Sequence, residues 1–322
     1  FLRFPKTAKS KCTFLHKLIN ILRTYEDIKL LTQNQIGVLY MVASVICFSI
    51  MDICVKWLDY YPVGQVLFLR FFIGFIPIFF IIPKNKISNF YKTSRPGLHA
   101  FRAVTGALAI IALFYGLREL PLADVVSLTF GGPIFVTIAS IFFLSEKVGI
   151  KRWSAVFLGF VGMLLIVQPA FTDLNYYYIS PIIFCIFFAC VAISVRSLSK
   201  TEANYTIAFY FTSLCAVIGL CSLFFVDWIM PTKIDFLIFV VMGLCGSIAN
   251  LLLTQSYRLA EASLVTPIKY LSLVFAIFFG LLIWSEVPKI LTLIGSSLVI
   301  LSSLIIFVRE SQLKKQIVAP RS

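Results

Sequence analysis

Six ionisable side chains sit inside stretches that are otherwise apolar: Asp52, Lys56, Arg70, Arg102, Asp124 and Lys269. An ionisable group in lipid costs about 2.5–3.5 kcal/mol on insertion scales, so each needs a partner, a wet cavity or an interfacial position. Asp52 and Lys56 are four residues apart, share a helix face and are able to pair. Asp52, Arg70 and Lys269 each stand about six or seven residues from the end of their run. At 1.5 Å per residue this reading puts all three roughly 10 Å deep from the outer side. A carboxylate beside two cations binds a small polar solute through charge-assisted hydrogen bonds. Phe130, Tyr270, Tyr115 and Tyr257 offer faces that stack on a planar or cationic solute. In a chain that is 16% aromatic, packing accounts for any one of them equally well.

The remaining polar residues point to positioning rather than reaction. Arg102 and His99 read as an inner-interface anchor, and Asp124 as a carboxylate at the positive end of a helix dipole. Glu146 and Glu286 each follow a serine in turns assigned to the inner side, as helix-start carboxylates or contacts of an inner gate. Pro133 and Pro267 interrupt two apolar runs, and proline removes a backbone hydrogen bond and kinks a helix. Gly131-Gly132-Pro133 and Thr266-Pro267-Ile268-Lys269-Tyr270 are therefore the segments expected to border a cavity. Nothing points to catalysis, a metal or a cofactor. There are two histidines far apart, eight cysteines without a C-x-x-C, and no phosphate-binding glycine loop.

These side chains need apolar scaffolding, and the composition supplies it. Of 322 residues 60% are hydrophobic and 13% charged, and mean hydropathy is +0.97. Too little polar surface exists to coat a globule in water, so the chain reads as an all-α integral membrane protein in the lipid bilayer. Ten spans are predicted, roughly 36–58, 63–83, 98–118, 122–144, 151–169, 178–197, 205–226, 235–257, 262–285 and 288–308. The very short third-to-fourth and eighth-to-ninth connections predict tight antiparallel hairpins. Residues 1–35 read as a basic cytoplasmic tail lying on the membrane surface, and 309–322 as a second cytoplasmic tail. With the N-terminus inside, the inner segments hold 21 Lys and Arg and the outer segments 3, counting Lys289 inside and Arg258 outside. Lys and Arg favour cytoplasmic loops, so the net charge of +14 is an orientation signal rather than a nucleic-acid-binding one.

The chain also repeats. Ser145-Glu146 recurs as Ser285-Glu286, Pro121–Val126 resembles Ala260–Val265, and Lys56-Trp-Leu58 resembles Arg196-Ser-Leu198, at offsets of 139 to 140. Two copies of a five-span unit, 36–170 and 178–308, must insert in opposite orientations. That is the inverted repeat of many secondary transporters, with a site between the halves.

Several stretches carry a resemblance over about 36–308: Leu69-Arg70-Phe71-Phe72, Ser94-Arg95-Pro96-Gly97 with Arg102, Tyr115-Gly116-Leu117, Pro133-Ile-Phe135, Phe143-Leu-Ser-Glu146 with Arg152-Trp153, and Gly159-Phe-Val-Gly162. On them the chain resembles the drug/metabolite transporter superfamily, in its ten-helix branch with two EamA-type repeats. Asp52 with Lys56, Arg70-Phe-Phe, Ser94-Arg-Pro and Thr266-Pro-Ile-Lys-Tyr-Leu make it similar to the S-adenosylmethionine carriers of rickettsia-like bacteria. The resemblance implies an inner-membrane carrier of a small metabolite without enzymatic activity. Export of amino acids or drugs, or a multispan scaffold or receptor, are the competing readings, and a homodimer is left open.

Overall fold

The computed structural model describes residues 33–81, 91–144, 150–167, 175–199, 201–260 and 262–318. Among these residues seven helices are long and apolar enough to cross a membrane, and three shorter apolar helices complete ten spans. The first three spans are α1 (Gln33–Trp57), α2 (Val63–Ile81) and α3 (Pro96–Glu119). The fourth is broken into α4 (Leu122–Thr129) and α5 (Gly132–Leu144), and α6 (Ile150–Val167) is the fifth. The sixth, seventh and eighth are α7 (Ile179–Leu198), α8 (Asn204–Cys221) and α9 (Lys233–Leu259). The ninth is broken into α10 (Ala262–Val265), a 3₁₀ turn (Thr266–Tyr270) and α11 (Leu271–Trp284), and α12 (Ile290–Val318) is the tenth. The tail over 1–32 and the turn carrying Glu146 lie outside the described residues.

Local chemistry sets several of these boundaries. Pro96 opens α3 at a position where its missing N–H costs nothing. Pro121 confines Leu120 to extended backbone and so ends that helix. Thr232 caps α9 by accepting the Asp235 N–H, and Asp235 favours the positive end of the helix. The fourth span breaks at Phe130-Gly131, where the Gly131 N–H turns back to the Leu128 carbonyl at 2.9 Å, just ahead of Pro133. In the ninth span Pro267 stands at the second position of the 3₁₀ turn.

Contacts between the two halves dominate the packing. α6 packs on α12, α3 on α7 and α8, α2 on α8 and α9, and α4 on α11. Side-chain hydroxyls tie α1 to α9: Ser44 donates to the Ala249 carbonyl and Ser256 to that of Gly37. Advancing every span by five maps this set onto itself. Span two on seven, four on nine and five on ten are self-paired, while span three on seven becomes eight on two. The third-to-fourth connection is short, but the expected hairpin does not form its main contact. α3 spends its small, alanine-rich faces on α7 and α8, and α4 turns to α11 and α12. Small residues permit the closest crossings, as expected where lipid supplies no hydrophobic drive between helices. A Cβ on Gly162 would lie 2.7 Å from the Gly295 carbonyl across the α6–α12 contact.

Candidate functional site

Where α1 passes the two broken spans, a narrow cleft opens. α1 contributes Ser49, Asp52 and Ile53, and α4 contributes Leu122 and Val126. Ser272, Phe275, Ala276 and Phe279 come from α11. The cleft thus brings one face each of α4 and α11 to the one carboxylate on α1. Arg70 reaches towards this carboxylate from α2, and the two charges act on each other. Its guanidinium is buried, with its carbon 4.9 Å from the Phe71 ring centre and 5.5 Å from that of Phe114. Gly246 on α9 makes room for it, since a Cβ there would stand 3.1 Å from Nε. The Nη1 of Arg70 is buried without a hydrogen-bond partner. A buried donor of this kind costs free energy until an acceptor arrives. A carboxylate in an apolar wall, with a buried guanidinium close enough to act on its charge and one donor of it unpaired, suits a zwitterion or a cation that carries a carboxylate.

Lys56 does not pair with Asp52. Its ammonium, only 6% exposed, forms an ion pair with Glu286 and donates to the Leu120 carbonyl at 2.6 Å. The other Glu286 oxygen accepts the Leu122 N–H at 3.0 Å, capping α4. Trp284 stands 5.3 Å from the ammonium and packs edge-on against Trp57. Two features let Glu286 fold back this way. Ser285 takes the left-handed conformation, φ 57°, at a cost of about 1–2 kcal/mol for a residue with a Cβ. Gly280 leaves space, because a Cβ there would meet the Glu286 carboxylate at 3.1 Å. Glu286 therefore lies at the end of the bundle where α1 and α3 finish, not at the inner side that sequence reading assigned it. Spans alternate, so the ninth-to-tenth turn shares a face with the first-to-second and third-to-fourth turns.

The same alternation separates Lys269 from Asp52. Ile268 and Leu271 pack with Met41 and Val45 on the opening half of α1. Asp52 is at least seven residues further on, roughly 10 Å along the axis. Asp52 and Arg70 come together as expected, and Lys269 belongs to the other half of the bundle. There its ammonium is 5.7 Å from the Tyr257 ring, while the Tyr270 ring meets Phe130 edge-on at 4.9 Å. The carbonyl of Phe130 accepts from Ser303 at 2.7 Å. Tyr115 is 46% exposed on α3 and Pro133 is exposed on α5. Arg102 stacks on Phe211 at 3.7 Å, and His99 on Tyr210 at 4.6 Å. Asp124 accepts from the Tyr178 hydroxyl just ahead of α7 and interacts with Thr292 on α12, and it does not line the cleft. Ser49, Ser272, Phe114 and Gly246 escaped sequence reading, since small or aromatic residues in apolar runs carry no periodic signal.

Ten apolar spans enclosing a charged cleft at the crossing of two broken helices are the build of a solute carrier, with no clustered nucleophile among the described residues. The profile of the EamA-like transporter family matches residues 35–168 and again 175–308, and the chain belongs to that family. It is a multi-pass membrane transporter of small metabolites and not an enzyme. The S-adenosylmethionine uptake transporter of Rickettsia bellii is 28% identical over 86% of this chain and 95% of its own. The pseudopaline exporter CntI of Pseudomonas aeruginosa is 28% identical over 83% and 94%. The riboflavin transporter of Rhizobium johnstonii is 26% identical over 87% and 93%. A solved crystal structure shares the fold with a TM-score of 0.59 at 16% identity, over 86% of this chain and 98% of that one.

Proposed function

We propose that this protein is a secondary carrier that takes up or exchanges S-adenosylmethionine across the bacterial inner membrane, with both termini cytoplasmic. The observation that carries the reading is Asp52 in the wall of an apolar cleft, with the Arg70 charge acting on it and the guanidinium Nη1 unpaired. The metabolite presents a sulfonium and an ammonium to the Asp52 carboxylate and a carboxylate to Arg70. Phe275 and Phe279 offer aromatic surface to its adenine ring. The two five-helix halves alternately open the cleft to each side. Binding drives the change only through tighter contact with the closed state, since equal affinity for both states shifts nothing. The uptake transporter of Rickettsia bellii supports the substrate, and the identity is shared with relatives that move other solutes.

A second reading keeps the site and reverses the direction: an amino acid presents the same two charges to the same pair, and the exporter among the relatives favours it. Labelled S-adenosylmethionine offered to cells producing the protein separates the two. Saturable uptake that S-adenosylhomocysteine competes and riboflavin does not supports the proposal. No uptake by a correctly inserted chain, with efflux of a loaded amino acid, replaces it with the second reading.

A further inference from the structure

We propose that Lys56 and Glu286 form a latch between the two halves that holds one mouth of the cleft shut. This rests on the alternating opening proposed above. Lys56–Glu286 is an ion pair that joins residues 230 apart in the chain. Three features make it a closure rather than a surface contact. It lies one helical turn beyond Asp52 on the same face of α1, directly above the cleft. It binds backbone on both sides of the third-to-fourth turn, through the Leu120 carbonyl and the Leu122 N–H, and Leu122 lines the cleft. It is shielded by Trp284, with Lys56 6% and Glu286 21% exposed.

The consequences follow from where the charges go. With the latch closed, α1, α4 and α11 are pinned at one end, and a solute reaches Asp52 only from the other. Opening that end separates Glu286 from Lys56. The ammonium then stands four residues from Asp52, the nearest carboxylate on its own helix. Lys56 so competes with a cationic solute for Asp52 when the mouth is open and releases Asp52 when the latch re-forms. One lysine thereby couples closure of the mouth to retention of the solute.

The test reads access to the cleft and does not depend on the identity of the solute. A cysteine is introduced at Ser272, and its labelling by a membrane-impermeant maleimide is measured in intact cells and in inverted vesicles. Labelling of the chain without the added cysteine is subtracted. Glu286→Gln keeps the shape and the acceptor for Leu122 but removes the charge. We expect it to raise labelling roughly tenfold from one side only, as a shift toward the open state. Lys56→Arg, which retains the pair, stays near the parent rate. Should Glu286→Gln fold poorly because it strands the Lys56 charge, Lys56→Met combined with Glu286→Gln buries no unpaired charge and gives the same rise. Unchanged labelling from both sides in the neutral variants overturns the latch, even where uptake of S-adenosylmethionine is intact. Raised labelling without any such uptake leaves the latch standing and removes the substrate.

Discussion

Arg70 is the residue on which recognition turns, and its geometry sets what a substitution does. A guanidinium is planar and offers paired donors to a carboxylate, whereas an ammonium is a strongly hydrated point charge. Arg70 lies between the Phe71 and Phe114 rings with Nη1 unpaired. Arg70→Lys therefore keeps the charge and loses the fork. It is expected to raise the KM for S-adenosylmethionine about tenfold, the size of one lost charge-assisted bond of about 1.5 kcal/mol. Asp52→Asn removes the counter-charge and is expected to reduce uptake more. Uptake kinetics at matched surface expression measure both, and a KM unmoved by Arg70→Lys would place the carboxylate elsewhere. Residue types alone flagged this pair, because ionisable groups in lipid are conspicuous. The partner of Lys56 was not legible. The candidate on its own helix was Asp52, four residues away, while Glu286 arrives only because Ser285 turns left-handed and Gly280 is bare.

At the scale of elements, two ties relate the connections of the bundle. At one face Glu202, between α7 and α8, accepts from the Thr93 hydroxyl at 2.8 Å and the Ser94 N–H at 3.1 Å. This joins the second-to-third connection to the sixth-to-seventh. Advancing by five spans gives the seventh-to-eighth and first-to-second connections, and a tie exists there as well. Gln65 at the start of α2 exchanges two hydrogen bonds with the backbone of Ile229, at 2.6 and 3.0 Å, and the Tyr61 hydroxyl donates to Asp235 at 3.0 Å. Each tie includes a carboxyl, Glu202 in the first and Asp235 in the second. Burial pushes the Glu202 carboxyl up. The Thr93 and Ser94 hydrogen bonds and the charge of His99 outweigh this and hold it below the usual carboxylate range. A carboxyl held low stabilises the fold above its ordinary pKa and loses that contribution as pH falls through the folded value. The tie is thus intact at neutrality and is lost only as acidity passes below the ordinary carboxylate range. Thermal unfolding in detergent from pH 6 to pH 3 should show a step that Glu202→Gln lacks, and an identical pH profile in the two chains would remove the tie. The ten spans and both breaks were legible as apolar runs and prolines. Which span packs on which was not, since short connections suggest neighbours while the small-residue faces of α3 select α7 and α8.

For the whole molecule the question is parity. Each family match covers five spans, so the second must enter the membrane from the side opposite to the first. The packing that returns to itself on advancing five spans is what two such halves produce when their like elements meet. The placement of Glu286 beside Leu120 and Leu122 obeys the same rule, since an even number of spans separates the third-to-fourth turn from the ninth-to-tenth. The rule moves Arg258 to the face of the N-terminus and Lys289 to the other, and the basic residues still divide 21 to 3. That imbalance argues for a cytoplasmic N-terminus. Reporter fusions test parity and orientation together. Alkaline phosphatase is active only outside the cytoplasm and a green fluorescent reporter fluoresces only within it. Fusion between 168 and 175, after five spans, should yield active phosphatase. Fusion after 318, after ten, should yield fluorescence and inactive phosphatase. The same side reported at both points would break the five-span repeat, and with it the geometric reason for a cleft that faces each side in turn. Opposite sides in reversed order would keep the repeat and put the Lys56–Glu286 mouth on the cytoplasmic face.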